Sequence, residues 1–175
     1  MNRKYLILLI AIFSIVLIVS GCSKKEEVTV SVAEEPDAVT TASIVDDASA
    51  FLNAVSAEGT WIIAVLEDLS LEEPFVIDGQ FTHNDDIYRK LAFYAQDENR
   101  VIVERYTVSA PKMTVRSENT RIQGGTFKGD VYVEANGFHL VDGTVDGDIY
   151  FANQEYMDSF TMDENSEVSG NKTVQ

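Results

Sequence analysis

Tyr132 and Tyr150 lie eighteen residues apart, and each follows an aspartate by two positions, Asp130 and Asp148. The phrases around them are close copies: GGTFKGDVYV at 124–133 and DGTVDGDIYF at 142–151. On extended chain both tyrosines would stack on one outward face, with carboxylates beside them. Flat aromatic rings next to carboxylates suit the binding of sugar rings. The same arrangement also stabilises a sheet by cross-strand pairing, worth roughly 0.2–1 kcal/mol per pair. These four residues form the candidate interaction ladder. Asp142 and Asp146, with Asp148 nearby and Asp130 one repeat away, are weak Ca²⁺ candidates, because that ion takes several oxygen ligands. Their spacing is not that of the Ca²⁺-binding nonapeptide repeat, and no metal site is assigned. His83 and His139 are the only histidines. Neither belongs to an HExxH or GxSxG pattern, and both read as surface or turn residues. The THNDD stretch at 82–86 reads as a loop. Carboxylate pairs with Arg100, Arg105, Arg116 and Arg121 would be the raw material of a polysaccharide lyase or hydrolase. No catalytic residue and no cofactor is assigned.

Cys22 is the only cysteine, which excludes an intramolecular disulfide and a CxxC metal site. Ahead of it, Arg3 and Lys4 precede the apolar run LILLIAIFSIVLIV at 6–19, followed by Ser20 and Gly21. A basic start, an apolar stretch shorter than a membrane span and small residues before a cleavage point make a secretory signal. Val19-Ser20-Gly21-Cys22 resembles the lipobox of bacterial lipoproteins. That resemblance implies diacylglycerol on the Cys22 thiol, cleavage just before it by signal peptidase II, and a protein held outside the cytoplasm by acyl chains. It places the chain on the cell membrane, or on the outer membrane where two are present. At ~0.8 kcal/mol per buried CH₂, two or three chains anchor stably without a transmembrane helix.

The formal charge is −16, and loss of residues 1–21 with Arg3 and Lys4 leaves −18. Such a balance disfavours nucleic acid, whose binding depends on cationic patches that neutralise phosphates. Residues 22–45 are rich in Ser, Thr, Ala, Val and Glu and have no aromatic residue, so they read as a lipidated flexible tether. In 46–58, Ala48, Phe51, Leu52 and Val55 fall on one helical stripe, with Asp46 and Asp47 at its start and Gly59 as a stop. A helix this short must dock to be stable, and the open end of the following domain is its expected place.

From Thr60 onward short apolar segments alternate with turn residues, which predicts an all-β domain over 46–175. Within the repeat, Val141, Gly143, Val145, Gly147, Ile149 and Phe151 share one parity, and polar residues share the other. Met113-Thr114-Val115 lies another eighteen residues back, in register with Val131-Tyr132-Val133 and Ile149-Tyr150-Phe151. Strands this short at this period predict a right-handed parallel β-helix of about five rungs, with Gly129 and Gly147 at tight corners. The alternative is an antiparallel β-sandwich or barrel with Gly-Asp turns. The helix in 46–58 would cap one end, and the acidic FTMDENSEVSG at 160–170 would blunt the other.

The phrases GTFKGDV and GTVDGDI resemble the repeats of bactofilins, bacterial polymer-forming proteins built as parallel β-helices. The resemblance covers two rungs and implies a self-associating structural protein. Taken together, these readings predict a non-catalytic envelope scaffold or interaction module. A binding module for cell-wall polysaccharide is the alternative, and a lyase or hydrolase a third class. The expected partners are the membrane through Cys22, and further copies of the chain or a wall polymer.

Overall fold

A computed structural model describes residues 42–175. The signal segment, Cys22 and the tether up to residue 41 lie outside the described residues. Among the described residues no helix is long and apolar enough to cross a membrane.

The protein is mostly β, and its two large sheets are parallel throughout. The six-stranded sheet runs β1 (Ala42–Val45), β2 (Ile62–Val65), β7 (Arg89–Ala92), β11 (Thr120–Gln123), β13 (His139–Val141), β16 (Thr161–Met162). The eight-stranded sheet holds β3 (Leu69–Ser70), β4 (Phe75–Ile77), β10 (Thr107–Val115), β12 (Thr126–Val133), β14 (Thr144–Asp146), β15 (Ile149–Phe151), β17 (Glu167–Val168) and β18 (Lys172–Val174). The chain passes back and forth between the two sheets. Each return lies parallel to the strand laid down one return earlier. Among the described residues antiparallel pairing is confined to two ribbons, β5 (Thr82–His83) with β6 (Asp86–Ile87) and β8 (Tyr94–Gln96) with β9 (Ile102–Arg105). The antiparallel sandwich or barrel is therefore not formed.

Register explains the duplicated phrase. Met113, Thr114 and Val115 pair with Val131, Tyr132 and Val133, which pair in turn with Ile149, Tyr150 and Phe151. The alternation sets the inside and the outside. Leu69, Val108, Phe127 and Val145 form one buried row, and Ile77, Val115, Val133 and Phe151 another. Ile63, Leu91, Ile122 and Leu140 face them from the six-stranded sheet. Stacking like on like buries each side chain against its own equivalent, and fully burying one aliphatic or aromatic side chain contributes about 1.5–3 kcal/mol. Gly129 sits at a corner with φ +138°, where a Cβ would run into the Ala110 carbonyl one return earlier. At Gly147 a Cβ would meet the Gly129 carbonyl, so the corners stack backbone on backbone.

Helix α1 (Ala48–Val55) starts where expected: the Asp47 carboxylate caps it by accepting from the Ser49 and Ala50 N–H groups at 2.8 and 2.9 Å. Its buried stripe is Phe51, Ala54 and Val55 rather than the expected one, and Leu52 is 42 % exposed. The helix docks against β1, β2 and β4, with Phe51 edge-on to Phe75 at 5.2 Å. Two expectations need correction. Ala42–Val45, within the stretch expected as tether, is a strand paired with Ile62–Val65. Residues 160–170 form no separate acidic cap. After helix α2 (Gln154–Ser159), the short strands β16, β17 and β18 add a further layer on β13, β14 and β15.

Candidate functional site

The outer face of the eight-stranded sheet carries the expected ladder. The rings of Tyr132 and Tyr150 lie 4.8 Å apart and tilted by 34°. The Lys112 amine lies over the Tyr132 ring at 4.9 Å. Tyr150 donates its hydroxyl to Asp148 Oδ2 at 3.0 Å, and Asp148 Oδ1 accepts from the Asn171 backbone N–H at 2.6 Å. The Asp148 N–H donates to Asp130 Oδ1 at 3.1 Å. The Asn171 N–H, the Tyr150 hydroxyl and the Asn171 amide hold the Asp148 carboxyl below the usual aspartate value, and the bond to Asp148 raises the Tyr150 phenol. All four predicted residues are brought together, and Asp148 is engaged by Tyr150, by Asn171 and, through its N–H, by Asp130.

The two weak Ca²⁺ candidates do not converge. Asp142 pairs with Arg105 at 2.7 Å, and its N–H donates to Asp163 Oδ1. Asp146 accepts from the Ser169 hydroxyl at 3.0 Å. Among the described residues no three His, Cys, Asp or Glu side chains are placed to share a metal ion. Arg116 pairs with Glu134 at 2.8 Å. Arg100 occupies a turn position with φ 64°. The arginines expected as raw material for a lyase are thus dispersed.

The opposite sheet carries a group of residues that the sequence reading did not assemble. Along its outer face Ile62, Lys90, Arg121, His139 and Thr161 stand in one cross-strand row. Arg121 Nε donates to His139 Nε2 at 2.6 Å. The other ring nitrogen, Nδ1, lies 2.9 Å from the Gly137 carbonyl. With Nε2 accepting, Nδ1 carries the proton and His139 is neutral. Burial, and secondarily Arg121, pushes its pKa below the ordinary histidine value against the opposing Gly137 bond.

Beside this row the β5–β6 ribbon folds over the sheet edge. Asn84 and Asp85 at its tip both have positive φ, 52° and 68°, the backbone of a type I′ two-residue hairpin. The ribbon carries His83 onto Trp61, with ring centroids 3.7 Å apart and nearly parallel. Tyr88 lies 6.0 Å from Trp61 and 6.2 Å from His83, and on its other side 6.4 Å from His139. The two histidines expected to be unrelated therefore flank one tyrosine. Arg121 lies over that tyrosine at 5.3 Å. Burial raises the Tyr88 phenol against the opposing charge of Arg121. The result is an open cleft of about 350 Å³ whose walls include Trp61, His83, Asn84, Asp86, Tyr88 and Lys90.

Directly under this region Arg89 is completely buried. It donates to the carbonyls of Asp78 at 2.8 Å, Ala54 at 2.7 Å and Ser56 at 3.2 Å, and lies over the Phe81 ring at 4.1 Å. Burial pushes its pKa down to about 10, with the Asp78 charge opposing. It remains cationic at neutral pH and ties the end of α1, where carbonyls lack intrahelical partners, to β7. Its role is structural.

One pair beside the cleft, though not of its lining, has a signal in the sequence. Arg121 and His139 are eighteen residues apart, the same period as the tyrosines. Lys90 was hidden because the β8–β9 ribbon lengthens the path between β7 and β11. No protein-family model, no curated protein and no solved structure matches this chain.

Proposed function

We propose that residues 42–175 form a short right-handed parallel β-helix, carried outside the cytoplasm on acyl chains at Cys22, and that it serves as a non-catalytic, self-associating scaffold of the cell envelope. The coil reading is supported by the in-register stacking of Phe75, Met113, Val131 and Ile149 and by the constant alternation between two parallel sheets. Right-handedness follows from the strong preference of parallel strand connections for that hand. The anchor reading rests on the lipobox resemblance at 19–22.

The observation that carries self-association is the last layer of strands. β16, β17 and β18 each pair on one side only among the described residues. Thr161, Asp163, Glu167 and Ser169 donate their N–H groups inward, to Phe138, Leu140, Gly143 and Val145. The intervening N–H groups of Met162 and Val168 therefore point away, as a template for another strand. At the other end α1 packs against β1, β2 and β4. With one open end per copy, two copies that join there leave no free edge, so association stops at a dimer rather than a long filament. Glu167 on that edge, together with Asp163 and Glu164, repels a second copy, so added salt favours association.

Sedimentation velocity on the full chain in mild detergent, across concentration and salt, tests this. A dimer whose population rises with concentration and with salt, and which is lost in Met162→Pro/Val168→Pro, is expected. A protein that stays monomeric in every condition overturns the scaffold reading.

A further inference from the structure

Lys90 and Arg121 are direct neighbours in the outward row of the six-stranded sheet. Like charges in that relation destabilise a sheet. The chain has 29 acidic residues against 13 basic ones, so carboxylate partners are plentiful. Arg105 and Arg116 have such partners. Among the described residues Lys90 and Arg121 have none. Lys90 donates to the Tyr94 hydroxyl at 3.0 Å, which leaves two of its three donors. Arg121 donates through Nε to His139, which leaves its terminal N–H groups. Two adjacent cations with donors to spare, neither in an ion pair with a carboxylate among the described residues, are arranged for an anion from outside.

The surroundings narrow the anion. Lys90 also lines the cleft that the β5–β6 ribbon makes with the sheet. Trp61, stacked on His83, and Tyr88 make part of its walls aromatic. Asn84 and Asp86 at the ribbon offer an amide and a carboxylate that accept hydrogen bonds from hydroxyl groups. A bare inorganic anion would use only the cations. A ligand using the whole site carries a negative group, a flat apolar ring face and several hydroxyls.

We propose that this cleft, with Lys90 and Arg121, binds an acidic sugar. The ring lies against Trp61 and Tyr88, its carboxylate accepts from Lys90 and Arg121, and its hydroxyls donate to Asp86 and Asn84. This site lies on the other sheet from the Tyr132–Tyr150 ladder, and its Arg121 is separated from the edge strand β16 by β13, so neither cation is on the strands that carry self-association.

Trp61 is the only tryptophan, so intrinsic fluorescence reports on the cleft directly. The full chain in mild detergent is titrated with trigalacturonate, and separately with the same trisaccharide fully methyl-esterified. A saturable change in Trp61 emission with the acid is expected. It should weaken about tenfold or more with the ester and in Lys90→Gln, since a charge-assisted contact is lost. Arg121→Gln should weaken it similarly, while Tyr132→Ala leaves it unchanged. Melting curves of each variant check that the fold persists. A flat titration up to about 10 mM, a range in which even weak sites respond, overturns the proposal. So does equal binding of the ester, or full binding by a folded Lys90→Gln protein. Displacement of the sugar by inorganic phosphate would support the role of the cations; binding of phosphate without any response to the sugar would overturn the sugar assignment.

Discussion

The part of the molecule before Tyr106 and the part after it use the same parallel sheets in opposite ways. Between Lys112 and Phe151 strands recur at eighteen residues and each side chain meets the one a period away: Val131 on Ile149, Tyr132 on Tyr150, Arg121 on His139. Polar atoms find partners one return away, as Asp148 does with Asp130 and Asn171. Before Tyr106 the path between returns is lengthened by α1 and by the two antiparallel ribbons. The strands still pair in register, Ile63 on Leu91 for one, but further contacts are made to inserted elements: Arg89 to the end of α1, His83 to Trp61. The regular part satisfies many of its own polar groups, whereas the interrupted part leaves a cleft, whose Lys90 stands beside Arg121 of the regular part. Regularity gives stability cheaply, and binding capacity arises where it is broken.

The largest effect should come from breaking the contact that holds an insertion in place. Arg89→Met removes the donor to three carbonyls and leaves them buried. A loss of at least about 3 kcal/mol is expected in urea unfolding, given the cost of orphaned buried acceptors. Arg89→Lys should recover only part, because one ammonium does not match a planar fork. A loss below 1 kcal/mol, on the order of an exposed ion pair, would mean that α1 docks through Phe51 and Val55 alone.

The regular part should break most readily at its corners. Gly129→Ala places a Cβ against the Ala110 carbonyl at φ +138°. A cost of roughly 2 kcal/mol is expected, typical of strained backbone without room to relax. Loss of the cooperative transition, rather than a shift of its midpoint, would show that the stacked returns unfold one at a time.

The two parts also differ in how far the sequence discloses them. Where the period is constant, inside and outside could be read residue by residue: Phe127, Val131 and Val133 are buried as the alternation requires. The tyrosine ladder was legible for the same reason. Helix α1 was visible from its Asp47 cap and Phe51–Val55 stripe, but Leu52 was misassigned because a docked helix end buries a stripe set by its neighbour, here Phe75. The cleft was not legible. Its residues come from positions 61–62 and 83–90, joined by a ribbon whose hairpin turn read only as a loop. The strand at 42–45 was missed because ASIV is too short to show an alternation of its own.

A smaller effect separates the two outer faces by pH. His139 is neutral in the folded protein and titrates below its ordinary value of 6.5 through burial and Arg121. The unfolded chain therefore takes up a proton first. Stability contributed by the neutral ring is complete above about pH 6.5 and is lost as pH falls from there through the lower folded value. His139→Gln should flatten that part of the stability curve, read from denaturant midpoints between about pH 7.5 and 5. An unchanged slope would place the proton uptake elsewhere.

The smallest effect tests whether the tyrosine ladder is anything more than structure. A double-mutant cycle with Tyr132→Ala and Tyr150→Ala should give a coupling of roughly 0.2–1 kcal/mol, the range for cross-strand pairs. That coupling should persist from neutral pH down to the ordinary aspartate range. Below it, protonation of Asp148 removes the acceptor that orients Tyr150. Because the folded Asp148 carboxyl lies below its ordinary value of 3.8, its stabilisation is present above that pH and lost as pH falls through the depressed value. If the coupling falls in step with this acid loss, the ring pair and its carboxylate act as one structural unit. If it stays constant through the acid limb, the rings stack without help from Asp148. The bond network on this face would then be free to serve a ligand, and the contrast between a self-satisfied face and a binding face would no longer hold.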